Sequence, residues 1–273
     1  MRSAAAAAEA RRRAWSGALM ALPLALFLAA VVAWPLARLA GAAFAAPGTL
    51  ATVFGAGRYR TALVNSLVLS GAAALAAVAL ALAPAWTLAR QRFAGARLLR
   101  AAIALPLTFS GVLVGFLMIV LLGRIGAVPG LAALAFGRPL LAGSAYTLAG
   151  LFLAYLYFEV PRAVVTLESA FRRFPWELSR AARTLGSGPA ERLRRVVLPL
   201  LAPALRATLA VTFSASMGSF GVALLLARRF TVAPLEVYTE LTGFLNDAVA
   251  GALCLALAAL TLTVDRLLGG GAE

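Results

Sequence analysis

The chain has 273 residues, 63% of them hydrophobic and only 13% charged, which is about half the charged share of a soluble domain. Its 25 basic residues are all arginine, its formal net charge is +15, and it has no histidine and one cysteine. These facts exclude a water-soluble core, an intrachain disulfide, a HExxH metal site and a histidine-based hydrolase, and without a phosphate-cradling GxxxxGK[ST] the chain does not itself hydrolyse ATP.

The charges are gathered into clusters, and the stretches between them are long. Charge-free runs cover Ala14–Ala37 (24 residues), Thr61–Ala89 (29), Ala101–Gly123 (23), Pro139–Phe158 (20), Ala207–Ala227 (21) and Ala248–Val264 (17). A helix rises about 1.5 Å per residue and the hydrocarbon core is about 30 Å thick, so about 20 apolar residues cross it. Five runs meet that length and the sixth reaches the lower limit, whereas Ile125–Gly137, at 13 residues, is too short. The expectation is an all-α integral membrane protein with six transmembrane helices and one short surface element.

In chain order, residues 1–13 form an Ala/Arg tail that is mobile or interfacial. The first helix, 14–37, is longer than a signal-peptide core and lacks a convincing cleavage site, so it stays as an anchor, with Trp15 and Trp34 as belt aromatics near its ends. Residues 38–60 are a loop with turn signals at Pro47-Gly48 and Gly55–Gly57. The second helix meets Pro84, where a kink or early end is expected, and the basic loop 90–100 follows. Pro106 interrupts the third helix early, and residues 124–138 form a half-helix along the surface. The fourth helix ends near Glu159-Val160-Pro161. Helices five and six are joined by residues 227–247, whose Glu236, Glu240 and Asp247 either sit in a solvated loop or meet a partner or cationic substrate. Asn65 and Ser66 read as glue between helices, and Cys254 as a buried packing residue. No tandem repeat is visible: residues 58–266 read as one domain with the first helix in front.

Arginine placement sets the orientation. With the N-terminus inside, seventeen arginines fall on the inner side and seven outside, with Arg206 near the inner end of helix five. That bias predicts an N-in, C-in topology. It also accounts for the net charge, so nucleic acid is not needed as a partner.

The most informative stretch is the inner loop at 166–199, above all WELSRAARTLGSGPAERLRRVVLP from Trp176 to Pro199. Pro175 suits the start of a short helix through Leu185, and Gly186 suits a left-handed C-terminal cap. Pro189 can begin a second helix, with Glu191 in its first turn, that runs to Val197. Pro199 marks the return to the bilayer. Leu178, Ala181, Ala182 and Leu185 share one side of the first helix, away from Arg180 and Arg183. Read from physics alone, this is an amphipathic pair lying on anionic headgroups, so membrane lipid is a partner.

The loop also resembles the coupling loop of type I ABC-importer permeases. The family pattern is Glu-Ala-Ala, three residues, Gly, nine residues, Ile, one residue, Leu-Pro; here Ala181, Ala182, Gly186, Val196, Leu198 and Pro199 keep every spacing. Arg180 stands where the pattern has Glu, and Glu177, one turn earlier, is the candidate to supply that contact. Residues 65–90 and 105–115 resemble the opening helices of the same domain. The resemblance implies a permease fold, a cytoplasmic ABC ATPase dimer that binds the ATP and Mg, a second permease subunit (identical or paralogous), a periplasmic substrate-binding protein and a place in the bacterial inner membrane. It implies no cofactor and no metal in this chain. The stretches 157–171 and 218–227 look similar to permeases of the polyamine/opine/phosphonate and ferric-iron groups, with sulfate and molybdate types also close. Ser214, Ser216 and Ser219, within FSASMGSFG, either line the pathway or serve tight helix packing. The rival reading is an ion-coupled secondary transporter, which needs titratable groups at mid-membrane depth. This chain offers only edge charges, Glu159 and Arg206.

Overall fold

The computed structural model describes residues 22–45, 48–228 and 230–269. The tail through Arg13, Trp15, Pro47 and Arg229 lie outside the described residues. Twelve helices follow one another among those described: α1 (Leu22–Ala45), α2 (Thr49–Gly55), α3 (Gly57–Arg90), α4 (Ala96–Ala104), α5 (Gly111–Leu122), α6 (Ala127–Phe136), α7 (Leu148–Arg173), α8 (Trp176–Thr184), α9 (Pro189–Met217), α10 (Phe220–Leu226), α11 (Ala233–Thr242) and α12 (Asp247–Gly269). Six spans are long and apolar enough to cross a membrane: α1, α3, α5 with α6, α7, α9 and α12.

Two helices outrun the prolines expected to stop them. α3 continues through Pro84 to Arg90, and α7 continues through Pro161 to Arg173. Each proline leaves the carbonyl four residues earlier without its intrahelical donor. The opposing force is packing: Ala77, Ala81 and Ala85 recur every fourth residue on α3 and are buried against Ala163, Val164 and Leu167 of α7. Small side chains let the two backbones approach closely, and that seam holds both helices past their prolines. Propensity yields to tertiary contact.

Two other prolines carry a different signature. A five-residue π turn at Ala29–Ala33 precedes Pro35 by one residue, and another at Leu193–Val197 precedes Pro199 by one residue. In both, the intervening residue, Trp34 or Leu198, donates its N–H five residues back. The wider turn moves the backbone away from the proline ring, so the helix stays continuous where a regular α ladder would clash. The expected return at Pro199 is therefore no break: the second arm of the inner loop runs straight into the membrane helix as α9.

The far end of the bundle, opposite α8, is closed by polar contacts. Glu236 and Glu240, expected in a solvated loop, are buried at 5% and 2% exposure. Arg58 pairs with Glu236 at 2.6 Å, Thr231 bonds to the same carboxylate, and the Tyr59 hydroxyl donates to Glu240 at 2.8 Å. Asn65 donates to the Thr231 carbonyl and the Ser66 hydroxyl accepts from the Ala233 N–H, each at 2.8 Å. Four of these contacts staple α11 and the residues just before it to the start of α3, and the Thr231 bond braces Glu236 from within its own segment. The acids are structural, because an unpaired carboxylate buried there would be unfavourable by several kcal/mol.

At mid-bundle the fifth span is discontinuous. α9 ends at Met217, Gly218 and Ser219 are non-helical, and α10 resumes at Phe220. α10 lies against α5 through glycine: a Cβ on Gly221 would sit 2.8 Å from the Val112 backbone nitrogen, and one on Gly111 would sit 3.4 Å from the Gly221 Cα. Gly111 and Gly115, four apart, make the small-residue face that permits this approach.

Candidate functional site

Two features stand out, a stiffly anchored arm at one end of the bundle and a polar layer at the helix break. The arm begins where α7 emerges. Phe174 and Pro175 turn the chain, and Trp176 folds back onto the end of the bundle. Its indole N–H donates to the Phe171 carbonyl at 3.1 Å, and its ring meets Trp86 of α3 edge-on at 4.8 Å. The Arg90 guanidinium caps that pair, 4.2 Å from the Trp176 ring centre and 5.3 Å from that of Trp86. Edge-to-face rings and a stacked guanidinium each contribute about 0.5–1.5 kcal/mol, so the base of α8 is fastened by several contacts at once.

A second fastening lies beside it. The C-terminal carbonyls of α3 lack intrahelical donors. Arg100 donates to the Leu88 carbonyl at 2.7 Å, and both Arg100 and Arg172 reach Glu168, at 2.8 and 2.7 Å. α4, α3 and α7 are thus tied together by two guanidiniums sharing one carboxylate and one helix end. The sequence showed a basic loop at 90–100; it did not show that Glu168 lies between Arg100 and Arg172, 68 and four residues away.

α8 ends as the glycine predicted. Gly186 has φ +88°, its N–H donates to the Arg183 carbonyl, and Ser187 N–H donates to Ala182, both at 3.1 Å. This pair of bonds is the Schellman cap. Nothing lies within 4 Å of a Cβ on Gly186. The apolar side of α8 is turned away from the bundle: Leu178 is 49% exposed, Leu185 is 86% exposed, and Ala181 is exposed, with Ala182 half-buried. Glu177 and Arg180 pair at 2.7 Å on the exposed surface, so the two residues at the altered motif position are brought together. Val196, Leu198 and Pro199 lie in the π turn and first α turn of α9.

The polar layer surrounds the break in the fifth span. Glu159, read from the sequence as an edge charge, is 3% exposed and lies eleven residues inside α7, about 16 Å from its start. That is mid-bundle depth. The edge reading is corrected because α7 begins at Leu148 and passes through Pro161, which moves Glu159 inward. Its carboxylate takes two bonds from Arg162, at 2.8 and 2.7 Å, and Ser216 lies beside it. Tyr155, one turn away on the same face, donates its hydroxyl to the Ser219 carbonyl at 3.2 Å. On the other side of α9, the Ser214 hydroxyl bonds to both carboxylate oxygens of Asp265 in α12, at 2.7 and 2.8 Å.

The three serines are therefore in different surroundings. Ser214 borders an open, mostly apolar groove of about 650 Å³ with Gly218, Tyr238 and Cys254. Ser216 is buried between α7 and α9 as a packing position, and Ser219 occupies the break itself. Sequence reading missed Tyr155, Arg162 and Asp265. The signal was present in the i, i+3 and i, i+4 spacing of Tyr155, Glu159 and Arg162, which puts all three on one helix face. No cluster of His, Cys, Asp or Glu among the described residues could hold a metal ion.

The family model described as "Binding-protein-dependent transport system inner membrane component" matches residues 73–269. A probable molybdenum ABC transporter permease protein of Haloferax volcanii is 31% identical over 81% of this chain and 78% of its own length. The molybdenum transport system permease protein of Mycobacterium tuberculosis is 32% identical over 78% of this chain and 79% of its own. Sulfate and trehalose permeases also stand among the relatives. The crystal structure of a bacterial alginate ABC transporter, in complex with a pentasaccharide-bound periplasmic protein, aligns with a TM-score of 0.80 at 18% identity, covering 95% of this chain and 94% of that one.

Proposed function

This chain belongs to the binding-protein-dependent transport system inner membrane component family, and from that premise we propose that it is half of an oxyanion import pathway worked through α8 by a separate ATPase. As a multi-pass inner-membrane permease of an ABC import system it has a transport role, and the family match displaces the ion-coupled carrier. The arginine excess supports an N-in, C-in topology, which puts α8 in the cytoplasm. The second permease and the binding protein follow from the family, and the aligned alginate transporter carries a periplasmic protein of that kind.

The observation that carries the coupling reading is the outward apolar face of α8 on a clamped base. Leu178 and Leu185 are exposed among arginines, where a helix with no partner would gain by burying them. A groove on an ATPase supplies that burial. A lever transmits displacement only if its foot is stiff, and the Trp86–Trp176–Arg90 stack with the Arg100–Glu168–Arg172 tie makes it so. Glu177 and Arg180, already paired, present both signs of charge to that partner.

The substrate reading moves from polyamine, phosphonate or ferric iron to a tetrahedral oxyanion of the molybdate or sulfate kind. Relatives named for molybdenum match 76–81% of the chain and relatives named for sulfate 65–67%, while the trehalose relative covers 56% of it. The far end agrees in charge: a cleft of about 700 Å³ is lined by Arg124, Arg228, Tyr146 and Thr147, with no carboxylate among the described residues that line it. Such a rim attracts anions and repels polyamines and ferric ions. The Ser214–Asp265 and Glu159–Arg162–Ser216 groups are proposed to flank the path at the break, where a shift of α9 against α10 would rearrange them. The test is ATP hydrolysis by the permease reconstituted with its ATPase and binding protein. Stimulation by molybdate or sulfate is expected; stimulation by a polyamine or ferric iron instead would refute the substrate reading.

A further inference from the structure

Between α8, the start of α9 and the ends of α3 and α7 lies a cleft of about 1080 Å³. Five arginines line it, Arg90, Arg172, Arg180, Arg183 and Arg192, against one acid, Glu177. Arg172 is neutralised by Glu168 and Arg180 by Glu177. Arg90, Arg183 and Arg192 have no carboxylate partner among the described residues. Three guanidiniums converging on one space repel each other unless an anion lies between them. The remaining lining includes Trp86, Ala89 and Val197, so the cleft has a charged mouth and an apolar wall.

Depth identifies the kind of anion. Asn65 of α3 and Leu148 of α7 border the same far-end cavity, which sets a common level. About 20 residues span the hydrocarbon, so it ends near Ala85 on α3 and Glu168 on α7. Arg90 and Arg172 then lie four or five residues further, about 6–8 Å beyond, where lipid headgroups sit. The interfacial position of Trp86 and Trp176 agrees with that depth.

We propose that this cleft binds the phosphate headgroup of an anionic phospholipid, held by Arg90, Arg183 and Arg192, with its glycerol and upper chain against Trp86 and Val197. A lipid seated there wedges the foot of α8 against the bundle and stiffens the arm. The site stands on geometry within this chain and does not depend on the substrate.

The test uses the purified complex in nanodiscs of phosphatidylcholine alone or phosphatidylcholine with phosphatidylglycerol. Native mass spectrometry after mild delipidation should find phosphatidylglycerol retained by the wild type. Loss of two arginines, each contributing roughly fivefold, should lower retention about twenty-fivefold in Arg90→Gln/Arg192→Gln. Arg173→Gln/Arg194→Gln removes the same charge outside the cleft and should retain lipid as wild type does. Amide exchange of residues 176–197 in the wild type should slow with phosphatidylglycerol, a measurement that needs no variant. No retention by the wild type, or equal loss in both double variants, overturns the site. Slowing of exchange by inorganic phosphate in phosphatidylcholine discs, equal to that by phosphatidylglycerol, would show a free-anion site and overturn the lipid assignment.

Discussion

Gly186 offers the sharpest test of the lever, because two explanations for it make opposite predictions. One is conformational: only a residue that tolerates φ +88° can close the cap of α8. The other is steric: a partner's backbone needs a surface without a Cβ. The protein itself gives no steric reason, since nothing lies within 4 Å of a Cβ there. The conformational penalty for an ordinary L-residue in the left-handed region is about 1–2 kcal/mol, and a β-branched residue fares worst. Asparagine adopts that region with little penalty.

Gly186→Val should therefore shift the capped arm toward open forms by about five- to thirtyfold, while Gly186→Asn keeps the cap and adds a side chain to the surface. The assay is recovery of the ATPase with the tagged permease, together with substrate-dependent ATP hydrolysis in liposomes. The expected order is wild type, then Asn close behind, then Val far below. Thermal stability of the permease should not change in either variant, because the strained turn is exposed and local. If Asn impairs docking as severely as Val, the conformational argument is refuted and the bare surface is what the partner needs. Undiminished recovery and transport with Val would remove Gly186 from coupling altogether.

Three further predictions concern the frame. Trp176→Ala deletes the edge contact with Trp86, the stack under Arg90 and the bond to Phe171, a loss of about 2–4 kcal/mol at the foot of α8; substrate moved per ATP hydrolysed should fall while hydrolysis persists, and an unchanged ratio would show that the foot need not be stiff. Gly221→Leu forces a Cβ to within 2.8 Å of the Val112 nitrogen, so the purified permease should lose about 1–3 kcal/mol or more of stability; Gly41→Ala, with nothing within 4 Å, is the control expected to melt as wild type does. Tyr59→Phe leaves the buried Glu240 carboxylate without its hydroxyl partner, a loss of about 1–3 kcal/mol; a melting point unchanged by Tyr59→Phe, or one that Glu240→Gln does not partly restore in the double variant, would show that the bond is dispensable.

Legibility followed the physics of each signal. Six spans were readable because hydrocarbon thickness acts on composition, which the sequence carries directly. The turn chemistry of the inner arm was nearly as readable, because it acts within one or two residues: Gly186 caps α8 and Pro189 opens α9 as expected, while Pro175 sits one position earlier, at the N-cap of α8. The end expected at Pro161, and the early end allowed at Pro84, did not occur for the converse reason. Whether a proline stops a helix depends on what packs across it, and the alanine seam between α3 and α7 joins residues about 80 positions apart. The buried state of Glu236 and Glu240 was hidden likewise, since their partners Arg58 and Tyr59 lie on a different helix. Contacts of that range leave no local pattern in a single sequence.

Stiffness and discontinuity are distributed along one path through this molecule. At the foot of α8, five aromatic and arginine side chains fix the arm, and beyond the Gly186 turn α9 runs through the π turn at Leu193–Val197 without a break. The first interruption along that helix is Gly218–Ser219, and there the layer of Glu159, Arg162, Ser216 and Asp265 is gathered. Displacement that α8 passes through the Gly186 turn into α9 meets no earlier break along that helix. A rigid rod ending at mid-bundle delivers its motion at its free end, and the free end is where α9 parts from α10. Under the proposed coupling, the glycine crossing of α10 on α5 would hold the far side still. A permease that must open at mid-depth in response to a push at its surface needs this order of parts, stiff first and broken second, and reversing the order would dissipate the push before it reached the polar layer.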